Sequence, residues 1–110
     1  MHLVTYGINH NTAPVHIREL FAFDASMLPA ALSNLHEDDS ILEVVILSTC
    51  NRTEIYCCID GESDNQILAW VHDYQQQDEG AIAQYLYHYQ QADAISHVMR
   101  VACGLDSMVL

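Results

Sequence analysis

The chain has 110 residues, enough for one domain with its own core and too few for two. Apolar residues make up 51% and charged residues 16%, which separates it from chains too polar to fold. Fifteen acids against three arginines and no lysine give a net charge of −12, which argues against a stand-alone nucleic-acid binder and against adsorption to an anionic membrane.

The N-terminus, MHLVTYGINH, has no basic region leading into a long apolar stretch, so no signal peptide is read there. No apolar run approaches the roughly 18–20 residues that span a bilayer. The expected location is the cytoplasm, where thiols stay reduced, so Cys50, Cys57, Cys58 and Cys103 are read as free. No repeat, linker or low-complexity segment interrupts the chain, and the ending SMVL reads as cut rather than naturally terminated.

In chain order, LVTYGI (3–8) predicts a strand with His2, Val4, Tyr6 and Ile8 on one face. The turn-rich NHNTAP follows, and Pro14 opens a helix to about Ala22, capped by Thr12 or Ala13. Asp24 is placed to cap a second helix to about Leu35, and EDDS then makes a surface loop. ILEVVILST (41–49) is apolar on both faces, the pattern of a central strand. TEIYCCI (53–59) alternates, with Thr53, Ile55, Cys57 and Ile59 together, and the short break around Cys50–Arg52 predicts a hairpin.

Ser63 or Asp64 starts a helix through ILAWVHDYQ, with Gln66 as the capping-box partner of Ser63. After Glu79-Gly80 comes a short helical turn, then YLYHY (85–89) as a strand. ADAISHVMRVACGL (92–105) carries a helical apolar stripe closed by Gly104. These elements predict an α+β, ferredoxin-like sandwich: an antiparallel βαββαβ core with extra helices on one face.

Cys50 lies where an apolar strand breaks into small polar residues, two positions before Arg52. A thiol attacks a carbonyl as thiolate, which cations and turn N–H groups favour, and Thr49 and Asn51 could orient an acyl group. The same placement suits a small packing residue at a strand end. On the last helix Asp93, His97, Arg100 and Gly104 share a stripe at the edge of the apolar face. There His97 is either a partly buried structural histidine or a catalyst, with Asp93 one turn away as a hydrogen-bond acceptor. Tyr85, Tyr87 and Tyr89 could stack bases, though packing against a helix suits the net acidity better. No Cys-x-x-Cys or His-x-x-x-His spacing points to a metal, and no glycine-rich loop to a Rossmann dinucleotide site.

GINHNTAPVHIRE (7–19), LSTCNRTEIY (47–56) and SHVMRVACGLDSMVL (96–110) together resemble the N-terminal catalytic domain of the glutamyl-tRNA reductases. The resemblance implies that residues 1–110 form that domain of a chain about four times longer, whose NADPH-binding and dimerisation domains lie beyond it. It implies that Cys50 takes the glutamyl group from glutamyl-tRNA as a thioester. NADPH then reduces the thioester to glutamate-1-semialdehyde for tetrapyrrole (porphyrin, haem) synthesis.

By position, Thr49, Cys50, Asn51 and Arg52 match the substrate-binding turn, with Arg52 suited to grip the glutamate γ-carboxylate. Ser107 matches a substrate-contacting serine, and His97 a histidine important for activity, as general acid or positioning residue. The implied partners are the acceptor end of glutamyl-tRNA, a second copy of the chain, and glutamate-1-semialdehyde aminomutase, with no membrane. Cys103 departs from the family's usual serine, and the chain stops before a Gly-Glu-Pro-Gln segment that completes the glutamate pocket. NADPH would be bound outside this chain, which alone is expected not to reduce. The competing reading is a non-catalytic acidic ferredoxin-like module that binds a ligand or partner, with Cys50 as packing.

Overall fold

Two stretches, LVTYGI and TEIYCCI, become the inner strands of one sheet. A computed structural model describes residues 1–75 and 83–104. Its elements are β1 (His2–Asn9), α1 (Val15–Phe21), α2 (Leu28–His36), β2 (Ile41–Ser48), β3 (Arg52–Ile59), α3 (Asn65–Gln75), β4 (Tyr87–Gln90) and α4 (Gln91–Ala102). The four strands form a single sheet in the order β2-β3-β1-β4, every neighbouring pair antiparallel. The helical turn expected after Gly80 begins in the stretch 76–82, outside the described residues, as does everything from Leu105 onward.

Register explains how the sheet divides its two faces. Val4 pairs with Cys57, Tyr6 with Ile55 and Ile8 with Thr53. Val4, Tyr6, Ile8, Ile55, Cys57 and Ile59 therefore share one face, and all are buried. Phe21 of α1, Leu35 of α2, and Ile67 and Val71 of α3 close over them. Each such side chain contributes on the order of 1.5–3 kcal/mol by leaving water. Burial also pushes the Cys57 thiol up to about 12, with neighbouring Cys58 adding to the effect, so Cys57 is a packing residue.

The opposite face carries Thr5, Gly7, Arg52, Glu54, Tyr56, Tyr87 and Tyr89, and α4 lies across it with Ala94 and His97 buried. Helices thus cover both faces, where the sequence predicted one. The apolar stripe of α4 resembles those of α2 and α3, and nothing in a stripe says which side of a sheet it will meet.

β2 departs from expectation in a second way, for it is an edge strand. Val44 and Ile46 face the core, whereas Val45 on the other face is 59% exposed. Apolar residues on both faces signal burial of both only where a neighbour covers each, and the described residues leave one side of β2 open.

Two helix starts also moved. Thr12 does not cap α1; its hydroxyl accepts from Asn9 N at 3.0 Å, and Pro14 stands at the cap position. α2 begins at Leu28 with Pro29 in its first turn, where a missing N–H costs nothing. Asp24 instead accepts a backbone bond from Met27 N at 2.8 Å, in the turn before the helix.

Asp64 spends its carboxylate on tertiary structure. It accepts from Tyr6 OH at 3.2 Å and Gln90 Nε2 at 2.9 Å, and it meets His88 Nε2 at 2.6 Å. Its main-chain oxygen receives Ile67 N at 3.0 Å, so one residue ties the start of α3 to β1 and β4. The end of α4 follows expectation, with Gly104 at φ +76 taking the left-handed conformation that closes a helix.

Candidate active site

The turn between β2 and β3 is built by one threonine. Thr49 N donates to Arg52 O at 2.7 Å, and Thr49 Oγ1 accepts from Asn51 N and Arg52 N, each at 3.2 Å. With its donors satisfied inward, the turn leaves the Cys50 side chain exposed. A second tie comes from α1: Arg18 Nε donates to Cys50 O at 3.3 Å while its Nη1 donates to Ala13 O at 2.9 Å. The arginine that touches the Cys50 turn is therefore Arg18, through a main-chain oxygen. Arg52 turns inward, 7% exposed, and donates from Nη1 to Glu54 Oε1 at 3.1 Å.

Glu54 is the centre of this face. Its side chain is fully buried, and donors converge on both oxygens. Oε1 accepts from Arg52 and from Tyr56 OH at 2.5 Å; Oε2 accepts from Tyr87 OH at 2.6 Å and meets His97 Nε2 in a short hydrogen bond. Burial works to raise the Glu54 pKa, but the bonds from Tyr56, Tyr87 and His97 outweigh it and hold the carboxyl below its ordinary value. A buried carboxylate is tolerable only when paired and hydrogen-bonded in this way. The same bonds, after burial itself, push the Tyr56 and Tyr87 hydroxyls well above the usual tyrosine range, so both stay protonated donors.

His97 sits between two aromatic rings and this carboxylate. Tyr89 stacks on its imidazole at 4.7 Å between centroids, and Tyr87 lies at 5.2 Å. The expected acceptor was Asp93 on the same helix; the structure gives the Nε2 partner as Glu54 on β3. An i, i+4 spacing permitted the first contact, and a buried carboxylate across the sheet supplied a stronger one.

The structure thus brings Arg52 and His97 onto opposite oxygens of one buried carboxylate, two residues along the strand from the Cys50 turn. Thr49 and Asn51 build that turn, and Ser107 lies outside the described residues. Glu54, Tyr56 and Tyr87 were missed as site residues. A signal existed: Arg52, Glu54 and Tyr56 at alternate positions of a strand share a face.

Gly7 permits the arrangement. A Cβ there would lie 2.9 Å from Glu54 Cγ, 2.9 Å from Tyr87 Oη and 3.0 Å from the main-chain oxygen of Thr53. Gly7→Ala is expected to destabilise the fold by about 1–3 kcal/mol, because a backbone atom cannot yield. Thermal unfolding should show the loss, and an unchanged midpoint would mean the close approach is absent.

Acid should act on the same groups. Glu54 and Asp64 both titrate below their ordinary values of 4.5 and 3.8, burial opposing and hydrogen bonds prevailing. A depressed folded pKa contributes stability that is complete above the unfolded value and lost as pH falls through the folded one. Unfolding followed by Trp70 fluorescence is therefore expected to begin below about pH 4.5 and to steepen as pH falls further. Constant stability from pH 5 to pH 2 would contradict the pairing of both carboxylates.

Residues 6–110 match the family model described as the N-terminal domain of glutamyl-tRNAGlu reductase. The chain belongs to that family. It is 51% identical over 110 residues to a glutamyl-tRNA reductase of Methylococcus capsulatus and 49% identical to one of Neisseria meningitidis. Each match takes in all of this chain and 26% of the relative, so the chain spans about a quarter of the length of its relatives. Among solved structures, glutamyl-tRNA reductase from Methanopyrus kandleri superposes with a TM-score of 0.73 at 27% identity, over 96% of this chain and 23% of that one.

Family membership turns the question of cofactor into a test of fit. A nicotinamide dinucleotide needs a glycine-rich turn from strand to helix to receive its pyrophosphate. Among the described residues no such turn occurs, and the cleft beside His97 measures about 400 Å³ with a single arginine on its wall. These residues do not fit NADPH, and no hydride step is assigned to them. Among the described residues no group of three or more His, Cys, Asp and Glu side chains could hold a metal ion, and no helix is long and apolar enough to cross a membrane.

Proposed function

We propose that the chain is the acyl-transfer domain of a glutamyl-tRNA reductase acting in tetrapyrrole synthesis. The observation that carries this reading is the exposed Cys50 on a threonine-closed turn that leads into Arg52, which shares one buried carboxylate with His97. Cys50 Sγ, as thiolate, attacks the ester carbonyl of glutamyl-tRNA and forms the C–S bond. The tetrahedral intermediate collapses, the C–O bond to the terminal ribose breaks, and the departing oxygen takes a proton.

His97 serves that departure as general acid or by positioning. Glu54 fixes which imidazole nitrogen faces inward and is a positioning residue. Arg52, oriented by Glu54, is the clamp for the glutamate γ-carboxylate, with Thr49, Asn51 and Ser107 as further substrate contacts. The thioester product is more electrophilic than the ester, which suits a later hydride transfer from NADPH bound outside residues 1–110.

The order β2-β3-β1-β4, antiparallel throughout, supports a ferredoxin-like split β-α-β arrangement in which α4 occupies the face opposite α2 and α3. The family resemblance alone carries three further proposals: a cytoplasmic location, a homodimer, and hand-over of the semialdehyde to an aminomutase.

Intact-mass analysis after mixing with glutamyl-tRNA tests the reading. A glutamyl adduct mapping to Cys50 is the expected result. Adduct formation confined to Cys103, or none, would favour the non-catalytic binding module.

A further inference from the structure

A cleft of about 400 Å³ opens beside His97, lined by the end of β1 and the loop after it, by β4 and by α4. Its walls carry Asn9, Tyr87, Tyr89, Asp93, Ser96 and Arg100. We propose that this cleft receives the 3′-terminal adenosine of the acceptor end, so that His97 stands at the boundary between the acyl group and the departing nucleoside. The proposal rests on the glutamyl-tRNA reading above and names the part of the substrate that the Cys50 turn does not hold.

Four observations carry it. The first is continuity with the nucleophile. Asn9 is the register partner of Arg52, and Arg18 bridges the two segments by donating to Ala13 O at 2.9 Å and Cys50 O at 3.3 Å. Cleft wall and Cys50 turn therefore form one end of the molecule.

The second is aromatic surface. Tyr89 uses one ring face on His97 and remains half-buried, so the rest of its ring lines the cleft beside Tyr87. Bases stack on such rings with little regard to sequence.

The third is polarity. Asp93 and Ser96 lie one turn apart on α4, a carboxylate and a hydroxyl suited to ribose hydroxyls in the way an acidic residue holds the ribose of a dinucleotide.

The fourth is charge. The chain has three cations: Arg18 donates to Cys50 O, and Arg52, held on Glu54, is the one assigned to the glutamate carboxylate. Among the described residues Arg100 makes no hydrogen bond or ion pair, and it is the one cation on the cleft wall. A strongly acidic domain thus presents its available positive charge where a terminal phosphate would lie.

Adenosine 5′-monophosphate is the probe. It is expected to shift amide resonances of residues 9–12, β4 and the first turns of α4, and to compete with glutamyl-tRNA for adduct formation at Cys50. Arg100→Gln and Asp93→Asn, both on exposed residues, should each weaken that competition about tenfold, the scale of one lost charge-assisted contact. Three results would overturn the proposal: no competition at millimolar nucleotide, equal competition in both variants, or equal competition by inorganic phosphate. If the wild-type chain forms no adduct at all, the acyl-transfer reading fails instead, and the amide shifts still report on the cleft alone.

Discussion

Cys50→Ser is expected to reduce glutamyl adduct formation by roughly four orders of magnitude or more while leaving the fold intact. A serine hydroxyl stays protonated at neutral pH and is a far poorer nucleophile than a thiolate. Nothing in the turn would activate it: Thr49, Asn51 and Arg52 spend their main-chain groups on closing the turn, and Arg18 reaches only the main-chain oxygen. Because Cys50 is exposed, the change in stability should stay within about 0.5 kcal/mol.

The other thiols provide the control. Cys57 is buried and its thiol sits near 12, so it should not label; Cys103 is exposed and should label readily without carrying the glutamyl group. A Cys50→Ser chain that still forms the adduct at the wild-type rate would remove Cys50 from the chemistry. Loss of the adduct together with loss of the thermal transition would mean that the turn depends on the thiol, contrary to the geometry described.

How much of this could be read from the residues alone differs by element. The alternation in TEIYCCI gave β3, its buried face and the hairpin, because a period of two with small polar residues at the break has few other solutions. β2 misled for the same reason: its pattern reports side-chain character and is silent on whether a neighbouring strand exists. Asp64 was read, as an alternative to Ser63, as the start of a helix, a local role, whereas its carboxylate partners Tyr6, His88 and Gln90 are 58, 24 and 26 residues away. Long-range polar pairing of that kind leaves no spacing rule in a single sequence.

The site divides along the same line. Thr49 to Arg52 are contiguous, so their turn was legible, and the resemblance assigned their chemistry. His97 was singled out with the wrong partner, since only neighbours on its own helix were visible. Glu54 was passed over because a lone carboxylate in a strand ordinarily points to water. What marks it as buried is the arginine and tyrosine two positions either side, on a face that α4 covers.

That carboxylate gives the second large effect. Glu54→Gln preserves shape and removes charge, leaving one acceptor oxygen where Arg52, Tyr56, Tyr87 and His97 all bring hydrogens. The amide N–H₂ must face two of those donors, so one pair is lost whichever way the side chain is turned, at a cost of about 1–3 kcal/mol. Catalytically the change should be larger than its effect on folding. If the amide nitrogen turns to His97, the imidazole loses its fixed tautomer; if it turns to Arg52, the clamp loses its anchor. A drop in adduct formation on the order of 10²–10⁴ is expected, the usual value of a positioned proton-transfer group.

Glu54→Ala is the less informative variant. It strips an acceptor from four buried donors and leaves a cavity, costing about 3–5 kcal/mol, a large part of the stability of a small domain. pH separates a positioning role from a merely structural one. Wild-type stability should fall as Glu54 protonates below about pH 4.5, whereas Glu54→Gln has no such group, so the stability gap between the two should narrow as pH falls. The deficit in adduct formation, measured near neutral pH where both are folded, should persist. A Glu54→Gln chain that matches wild type in rate at neutral pH would leave Arg52 and His97 to act without the carboxylate that joins them.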